Sequence, residues 1–232
     1  MIRTAGTSDL LVFAGPSLRP KDVESLDRVA INHGCRLIWR PPIRRDDLLV
    51  AEREFSGTTR ALILDGEFHQ RLSVSVSEIR YILNSGSVEL HGASSMGALR
   101  AVECRTIGMV GHGWVYEQYL SGTTESDGDV ALLFDPFDFS PVSVPLINLR
   151  WLLRTLHDQG TIASSTAAEA YLSAKSLHYT EREPKELARE WKRTLSAEVV
   201  DILLPQLHDT RRDNWDRKRL DAMDAVKRLV AS

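Results

Sequence analysis

The sequence predicts an α/β protein built on a parallel sheet, and three observations support that prediction. Four short runs rich in apolar and β-branched residues recur about 25 residues apart, which is typical of β-α-β units. Helical patterns separate these runs, and after Pro141 the pattern is helical throughout. We therefore expect a three-layer parallel-sheet core of the Rossmann or flavodoxin type at residues 1–140. A C-terminal helical extension at residues 141–232 should pack on this core and face a partner.

Strand and helix patterns alternate along the first part of the chain. The predicted strands cover residues 10–14, 36–39, 60–64 and 87–90, with residues 129–134 as a candidate edge strand. The predicted helices cover residues 21–32, 46–55, 73–84, 97–104, 114–120, 146–159, 167–177, 184–196 and 214–230. Pro20 introduces the first helix and Gly86 closes the third, as these residue types commonly do at helix ends.

Composition limits the class of protein. The chain has 232 residues and a formal net charge of −3, so as a whole it offers no positive field to nucleic acid or to an anionic membrane. It contains neither a leader-like N-terminus nor an apolar run of about 18 residues, and we expect a cytoplasmic protein. Cys35 and Cys104 form no C-x-x-C pattern, which predicts ordinary packed thiols.

The segment at residues 91–101 is the most informative one for chemistry. It joins a predicted strand to a predicted helix, and its small residues differ by one substitution from the G-x-S-x-G turn that presents a nucleophilic serine. In that frame Ser95 is the nucleophile, and the N-H groups at the helix start would face an anion. The alternative is a packed small-residue turn in which Ser94 or Ser95 caps the helix.

Polar residues follow each of the four predicted strands. In an open parallel sheet the carboxyl ends of the strands lie at one edge, where ligands bind. The clusters at that edge would be Gly15-Pro16-Ser17, residues 40–46, Asp65-Gly66-Glu67 and residues 92–95. Each cluster also suits an ordinary turn or a stiff connector. Their coincidence at one edge favours a functional cleft.

Other candidate sites are weaker. His69, His91 and His112 lie near the predicted edge and could act as bases, although exposed or core-capping histidines are more common. The aspartates between residues 127 and 138 are interleaved with turn formers, so we expect no metal. A nucleotide-binding domain would need a glycine-rich phosphate motif, which the chain lacks, and we expect no cofactor.

Six ordered blocks of the sequence match a known family. They are VFAGPSL (12–18), RPPIRR (40–45), ILDGEF (63–68), GASSMGALRA (92–101), GMVG (108–111) and INLR (147–150). On these blocks the chain resembles the TfuA-like proteins from about residue 11 to residue 182. The resemblance implies a partner of a YcaO enzyme, which uses ATP to activate a backbone amide so that sulfide can replace its oxygen. It also implies release of that sulfide by hydrolysis of a thiocarboxylated ubiquitin-like carrier protein, with the precursor peptide contacted indirectly.

Thiocarboxylate hydrolysis assigns roles to residues of the predicted cleft. It requires a nucleophile, a proton acceptor and donors for the oxyanion. Ser95 would be the nucleophile, with the N-H of Met96 or Gly97 at the oxyanion. Asp65, Glu78 or a histidine would be the base. The predicted substrate-binding residues are Ser17, Arg44, Arg45, Ser94, Arg100, Asn148 and Arg150, since arginine suits a planar anion and Asn148 and Arg150 lie in a family-matching block.

The chain departs from the family pattern in ways that favour a second reading. Many relatives carry His-Lys-Glu where this chain has Val76-Ser77-Glu78, and Arg-Gly-Asp where it has Arg45-Asp46-Asp47. The alternative function is a non-catalytic adaptor that recruits or activates YcaO in a thioamidated natural-product pathway. In either case we expect residues 142–232 to form the main docking surface for YcaO and to be dispensable for folding of the core.

Overall fold

A five-stranded parallel sheet forms the centre of the N-terminal part, in the order β2-β1-β3-β4-β5. The computed structural model describes residues 8–54, 59–68 and 71–232. The strands are β1 (Ser8–Phe13), β2 (Cys35–Arg40), β3 (Thr59–Ile63), β4 (Val88–Ala93) and β5 (Val110–His112). This is the flavodoxin-like order, and its direction reverses between β1 and β3. The predicted α/β class with a parallel sheet is therefore confirmed.

Strand β1 shows why this sequence forms a central strand. Leu10 and Val12 are buried on one face of the sheet, while Leu11 and Phe13 are buried on the other. A run that is apolar at every position is typical of a parallel strand covered by helices on both faces. Because β1 pairs with both β2 and β3, its carboxyl end lies between the carboxyl ends of these two strands.

Eleven α-helices accompany the strands in the described part of the chain. They are α1 (Pro20–Asn32), α2 (Asp47–Glu54), α3 (Val76–Ser85), α4 (Met96–Cys104), α5 (Gly113–Leu120), α6 (Leu146–Asp158), α7 (Ser164–Ser176), α8 (Pro184–Thr194), α9 (Ala197–Leu203), α10 (Asp209–Arg212) and α11 (Arg217–Val230). Helices α2, α3 and α4 cover one face of the sheet, and α1 and α11 cover the other. No described helix is long and apolar enough to cross a membrane.

The chain divides into two compact units. The first contains the described residues up to Glu125 together with Lys218–Ser232, and the second is Ser126–Arg217. This division differs from a boundary near residue 140, because the last helix belongs with the sheet. On α11, Val226 and Leu229 pack in the same cluster as Leu10. This packing argues against the expectation that residues 142–232 are dispensable for folding of the core.

Two further predictions were wrong in detail. Residues 129–134 form no strand; the segment begins in a 3-10 turn (Asp127–Asp129) in which Gly128 N-H is capped by Ser126 Oγ at 3.1 Å. The fifth strand is instead Val110–His112, which has only three residues and lies at the edge of the sheet. Helices α9 and α10 lie in a stretch of the chain for which the sequence predicts neither a helix nor a strand.

The second unit has a helical core of its own. Leu149, Leu153, Trp191 and Leu203 are buried together there. The indole N-H of Trp191 donates to the carbonyl of Ala170 at 3.1 Å, which satisfies the one polar atom of this large buried side chain.

The described cysteines are both buried thiols outside any disulfide, and burial raises the pKa of Cys104 to about 11.

Candidate functional site

The carboxyl ends of β1, β3 and β4 bring three polar side chains together. Ser17 follows β1, Asp65 follows β3 and Ser94 follows β4. The strand order reverses between β1 and β3, so Ser17 and Asp65 flank the point at which open α/β sheets bind ligands. This edge of the sheet is the candidate site.

A continuous chain of hydrogen bonds connects the three side chains. Ser94 Oγ donates to Ser17 Oγ at 2.7 Å, and Ser17 Oγ donates to Asp65 Oδ1 at 2.7 Å. The other carboxylate oxygen, Asp65 Oδ2, accepts the N-H groups of Gly15 and Ser17, each at 2.9 Å. None of the three side-chain residues is more than 2% exposed. The arrangement holds both hydroxyls in fixed orientations and gives a proton a path from Ser94 to the carboxylate.

Ser94 has an unusual backbone conformation. Its φ is +67°, and the N-H of Ser95 donates to the carbonyl of Ala93 at 2.8 Å across it. A non-glycine residue at positive φ in so tight a turn is strained, and such strain is concentrated at functional sites. A strained serine between a strand and a helix shares this backbone setting with the turn that presents a nucleophilic serine. In this frame the pattern starts at Gly92, one residue earlier than predicted from the sequence.

Two glycines allow the turn to lie against the sheet. A Cβ on Gly97 would be 1.8 Å from the carbonyl oxygen of Ile63, and a Cβ on Gly92 would be 2.1 Å from the carbonyl oxygen of Gly97. Gly97 N-H donates to the carbonyl of Leu64 at 3.3 Å, which joins the start of α4 to the end of β3. The small residues therefore bring Ser94 to the strand that carries Asp65.

Ser95, the predicted nucleophile, lies at the start of α4, and its catalytic role stays a prediction. It is the N-cap residue of α4, is 2% exposed and makes no side-chain capping bond. Its carbonyl accepts the N-H groups of Ala98 and Leu99. Within the described part of the chain, the N-H of Met96 has no hydrogen-bond partner, which leaves it available to an oxyanion near the turn.

Glu78, a predicted base, contacts a neighbouring loop. Its two carboxylate oxygens accept the N-H of Asp46 at 3.0 Å and the N-H of Leu48 at 3.2 Å. Asp46 has a φ of +71°, so the carboxylate holds a strained turn at the start of α2. Burial raises the pKa of Glu78, against the lowering effect of these two hydrogen bonds. The geometry gives Glu78 a positioning role for the loop that carries Arg44 and Arg45.

Arg44 and Arg45 lie on the surface of that loop. The Arg44 side chain is 61% exposed and pairs with Glu67 at 3.1 Å. The loop is joined to the candidate site because Ile43 N-H donates to the carbonyl of Asp65 at 2.9 Å. Arg45 is exposed, and its N-H donates to the carbonyl of Leu72. Both cations therefore lie at the edge of the sheet that carries the candidate site, and their role in substrate binding stays a prediction.

Arg100 serves the structure of the loop before α3. Its Nε donates to the carbonyl of Val74 at 3.0 Å, one terminal nitrogen donates to Ser73 Oγ at 2.8 Å, and another pairs with Glu103. Every nitrogen of the guanidinium thus has a partner. The predicted role of Arg100 in binding a thiocarboxylate receives no support from these contacts.

A cleft of about 200 Å³ opens beside the ends of β1 and β2. Its walls are formed by Phe13, Arg40, Pro41, Asp47, Val50, Ala51 and Glu54. Arg40 pairs with Glu54 at 2.5 Å on this surface. The cleft does not include Ser94, so it is a neighbour of the hydrogen-bonded chain and not its entrance.

The predicted histidine bases form a pair on the sheet. His91 Nδ1 and His112 Nε2 are 3.0 Å apart, and His91 Nε2 is 3.1 Å from Glu89 Oε1. Burial, together with the charges of His91 and Arg228, lowers the pKa of His112 to about 4. Burial also lowers the pKa of His91. Neither histidine has a hydrogen bond to the serine chain, and His69 lies outside the described residues.

Asn148 and Arg150 belong to the second unit. Asn148 Nδ2 donates to Asp216 Oδ1 at 2.7 Å, and the Arg150 guanidinium lies 4.5 Å over the ring of Tyr171. Burial raises the pKa of Asp129, although Arg150 is among the cations that oppose the shift. A part for Asn148 and Arg150 in substrate binding stays a prediction. Among the described residues no group of three or more His, Cys, Asp or Glu side chains could hold a metal ion.

A comparison with protein-family models identifies the family of this chain. A family model with the description "TfuA-like protein" matches residues 65–183, just over half of the chain. The matched segment includes Asp65 and Ser94, whereas Ser17 lies before it. A comparison with curated proteins found no match. On the strength of the family match, the chain belongs to the TfuA-like family.

Proposed function

We propose that this protein releases sulfide from a thiocarboxylated ubiquitin-like carrier protein, by hydrolysis, beside a YcaO enzyme whose binding to its peptide it assists. Membership of the TfuA-like family implies the partner role in thioamidation. The observation that supports hydrolysis is the chain from Ser94 through Ser17 to Asp65, with its strained serine at the turn before α4.

In the first step Ser94 Oγ attacks the acyl carbon of the carrier's C-terminal thiocarboxylate. Its proton moves to Ser17 Oγ while the Ser17 proton moves to Asp65 Oδ1, along the two 2.7 Å hydrogen bonds. The carbon–sulfur bond breaks as the intermediate collapses, and the proton returns from Asp65 to the leaving sulfur. The products of this step are hydrosulfide and a carrier ester on Ser94.

In the second step water hydrolyses that ester. The water gives a proton to Asp65 through Ser17, its oxygen adds to the acyl carbon, and the ester bond to Ser94 breaks. Asp65 returns the proton to Ser94 Oγ through Ser17, and the new carboxylic acid ionises in solvent. The balance is one thiocarboxylate and one water to one carboxylate, one hydrosulfide and one proton.

Backbone and arginine groups at the same edge supply the electrostatics. The Met96 N-H at the start of α4 is the donor proposed for the oxyanion, and the positive end of the helix dipole adds to it. Arg44 and Arg45 are exposed on the loop bonded to Asp65, where they would attract the anionic tail of the carrier.

The test compares serine variants in sulfide release from the thiocarboxylated carrier. We expect Ser94→Ala to lower the rate by at least about 100-fold and Ser17→Ala by about 10- to 100-fold, since each removes a member of the proton path. Ser95→Ala is the matched control and should stay within about threefold of wild type. Mass spectrometry of the wild-type reaction should detect the carrier ester on Ser94.

Two results would contradict this assignment. Loss of activity in Ser95→Ala with a fully active Ser94→Ala would return the nucleophile to Ser95. Full activity in both variants would remove covalent catalysis and leave attack by a water molecule, activated by Asp65.

The burial of the site favours a second candidate function, a non-catalytic adaptor for YcaO. Ser94 is 0% exposed and Ser17 and Asp65 are 2% exposed, so a substrate carbon reaches Ser94 only after the surrounding loops move. The adaptor hypothesis expects no sulfide release by wild type at any carrier concentration. It also expects wild type to lower the KM of YcaO for the peptide when sulfide is supplied directly.

A further inference from the structure

A loop in the second unit presents an aromatic side chain to solvent. Phe137 is 94% exposed, and its neighbours Leu133 and Val142 are 40% and 38% exposed. We call residues 133–142 the aromatic loop. Burying an exposed phenylalanine side chain stabilises a complex, so a phenylalanine held in water is available for association.

Hydrogen bonds at its base fix the shape of the aromatic loop. Val142 N-H and Ser143 N-H both donate to the carbonyl of Leu133, at 2.8 and 3.1 Å, and Leu133 N-H donates to Ser143 Oγ at 2.7 Å. Phe134 and Pro141 form an antiparallel bridge above these bonds. The chain therefore leaves and returns at one point, like a short hairpin.

The tip is held equally firmly by its own side chains. Asp135 Oδ1 accepts the N-H of Phe137 at 2.8 Å, and Asp138 Oδ1 accepts the N-H of Ser140 at 2.8 Å. Phe139 N-H donates to the carbonyl of Asp135 at 2.9 Å, and Asp135 N-H donates to the carbonyl of Ser140 at 2.9 Å. Because these bonds already order the tip, little conformational entropy would be lost when Phe137 is buried in a partner.

The charge around Phe137 has one sign. The aromatic loop contains Asp135 and Asp138 and has no lysine, arginine or histidine. The hydrogen bonds from Ser140 lower the pKa of Asp138, so this carboxylate is ionised at neutral pH. An apolar tip between two carboxylates is repelled by anionic membranes and by nucleic acid, and it complements an apolar socket with a basic rim.

We propose that the aromatic loop docks this protein on a partner protein by placing Phe137 in an apolar socket rimmed by lysine or arginine. The assignment of that partner rests on the proposed function: it is the YcaO enzyme that the chain assists. The docking surface is thus a rigid loop of the second unit, and the charged helices at the end of the chain are not needed for it.

The test measures the affinity of the full-length chain for the purified YcaO enzyme by calorimetry. Phe137→Ala should raise Kd at least about 10-fold while the circular dichroism spectrum and Tm remain those of wild type. The matched control is Leu172→Ala on α7, which removes another exposed side chain (62% exposed) and should leave Kd within about twofold.

A second arm tests the basic rim. Asp138→Asn keeps an oxygen that can accept the Ser140 N-H but removes the charge. This variant should raise Kd and weaken its dependence on salt concentration, because one ion pair across the interface is lost. An unchanged Kd and an unchanged salt dependence would overturn the basic rim.

The other outcomes separate this proposal from the proposed function. If Phe137→Ala binds YcaO like wild type and also releases sulfide like wild type, the docking role of Phe137 is refuted and the proposed hydrolysis is unaffected. If wild type does not bind YcaO, both the partner role of the protein and the docking role of Phe137 are refuted. If sedimentation shows a wild-type dimer that Phe137→Ala converts to a monomer, the socket is on a second copy of this chain and the YcaO assignment is wrong.

Discussion

Among single residues, Ser94 has the backbone conformation with the largest consequence for the candidate site. A side chain at φ +67° costs of order 1–3 kcal/mol, and the surrounding hydrogen bonds and packing have to offset that strain. Ser95, the N-cap residue of α4, has a φ of −121° and a ψ of −119°, so its φ is negative and lies outside the left-handed region. The positive φ therefore distinguishes Ser94 from its neighbour, and the sequence does not show this distinction, since its motif frame favours Ser95.

The strain at Ser94 predicts an order of stability between two variants that both lack the hydroxyl. Ser94→Gly removes the Cβ that makes positive φ unfavourable, whereas Ser94→Ala keeps it. We expect Ser94→Gly to be more stable than Ser94→Ala by about 1 kcal/mol in urea unfolding, while both variants release sulfide much more slowly than wild type. In most other positions glycine is the less stable of the two, so the opposite order would show that Ser94 is unstrained in solution.

The histidine pair predicts a dependence of stability on pH. The pKa of His112 is lowered to about 4 in the folded chain, mainly by burial, whereas an unfolded histidine titrates near 6.5. The folded state therefore binds fewer protons than the unfolded state between these values. The contribution of His112 to the free energy of unfolding should be constant above about pH 6.5 and fall as the pH drops towards 4.

Replacing one histidine tests this dependence. His112→Gln should flatten the fall in the free energy of unfolding between pH 6.5 and 4, measured by urea titration at several pH values. The exposed His33 provides the matched control, and His33→Gln should leave the fall as in wild type. Equal pH profiles for His112→Gln and wild type would mean that the charges near the pair, on Glu89, Arg60 and Arg228, dominate the titration.

At the scale of elements, the contact between α4 and β3 depends on a single glycine. A Cβ at position 97 would lie 1.8 Å from the Ile63 carbonyl oxygen, a backbone atom that cannot rotate away. Gly97→Ala should therefore cost roughly 2–4 kcal/mol of stability and should also lower sulfide release, because α4 carries the Ser94 turn with it. Gly128→Ala is the control, since its Cβ would meet only Ser126 Oγ at 3.3 Å. A fully active and stable Gly97→Ala would show that α4 can shift without disturbing the site.

A strand of this sheet could be predicted from the sequence when its residues pack on both faces, because it is then an apolar run. Strands β1 to β4 are apolar runs, and their pattern alone indicates them. Strand β5 was missed because Val110, Gly111 and His112 form a short edge strand whose side chains are only partly buried or exposed. Its pairing with β4 is a long-range contact that no local pattern reveals.

The candidate site could be predicted in outline only. The rule that parallel strands end at one edge is enough to place Ser17, Asp65 and Ser94 near one another. Local competition for hydrogen bonds decides the rest: Glu78 and Arg100 satisfy backbone groups of nearby loops, and the sequence does not show such partners. The chain segment before residue 65 supplies Ser17, so the site depends on residues outside the part that the family model matches.

At the scale of the whole molecule, the chain returns to the sheet after forming a second unit. Arg219 on α11 pairs with Asp22 on α1 at 2.6 Å, and Asp221 Oδ2 accepts the N-H of Val115 at 2.7 Å. The two contacts join the end of the chain to elements near its beginning and middle. The second unit is therefore an insertion between α5 and α11, and the last helix covers part of one face of the sheet.

Removing α11 should consequently unfold the sheet. Deleting residues 218–232 exposes the face of β1 that carries Leu10 and Val12 and removes the buried side chains Ala222, Ala225, Val226, Leu229 and Val230. At roughly 1.5–3 kcal/mol for each larger side chain, the loss is comparable to the total stability of an ordinary domain, about 5–15 kcal/mol. We expect the sheet of the truncated chain to lose its cooperative urea transition, whereas the second unit keeps its own helical core. The matched point variants are Val226→Asp, which places a charge in the core and should be severely destabilised, and Lys227→Asp on the exposed side of the helix, which should unfold like wild type. A truncated chain whose sheet still unfolds cooperatively would show that α1 and the remaining helices cover the sheet without α11.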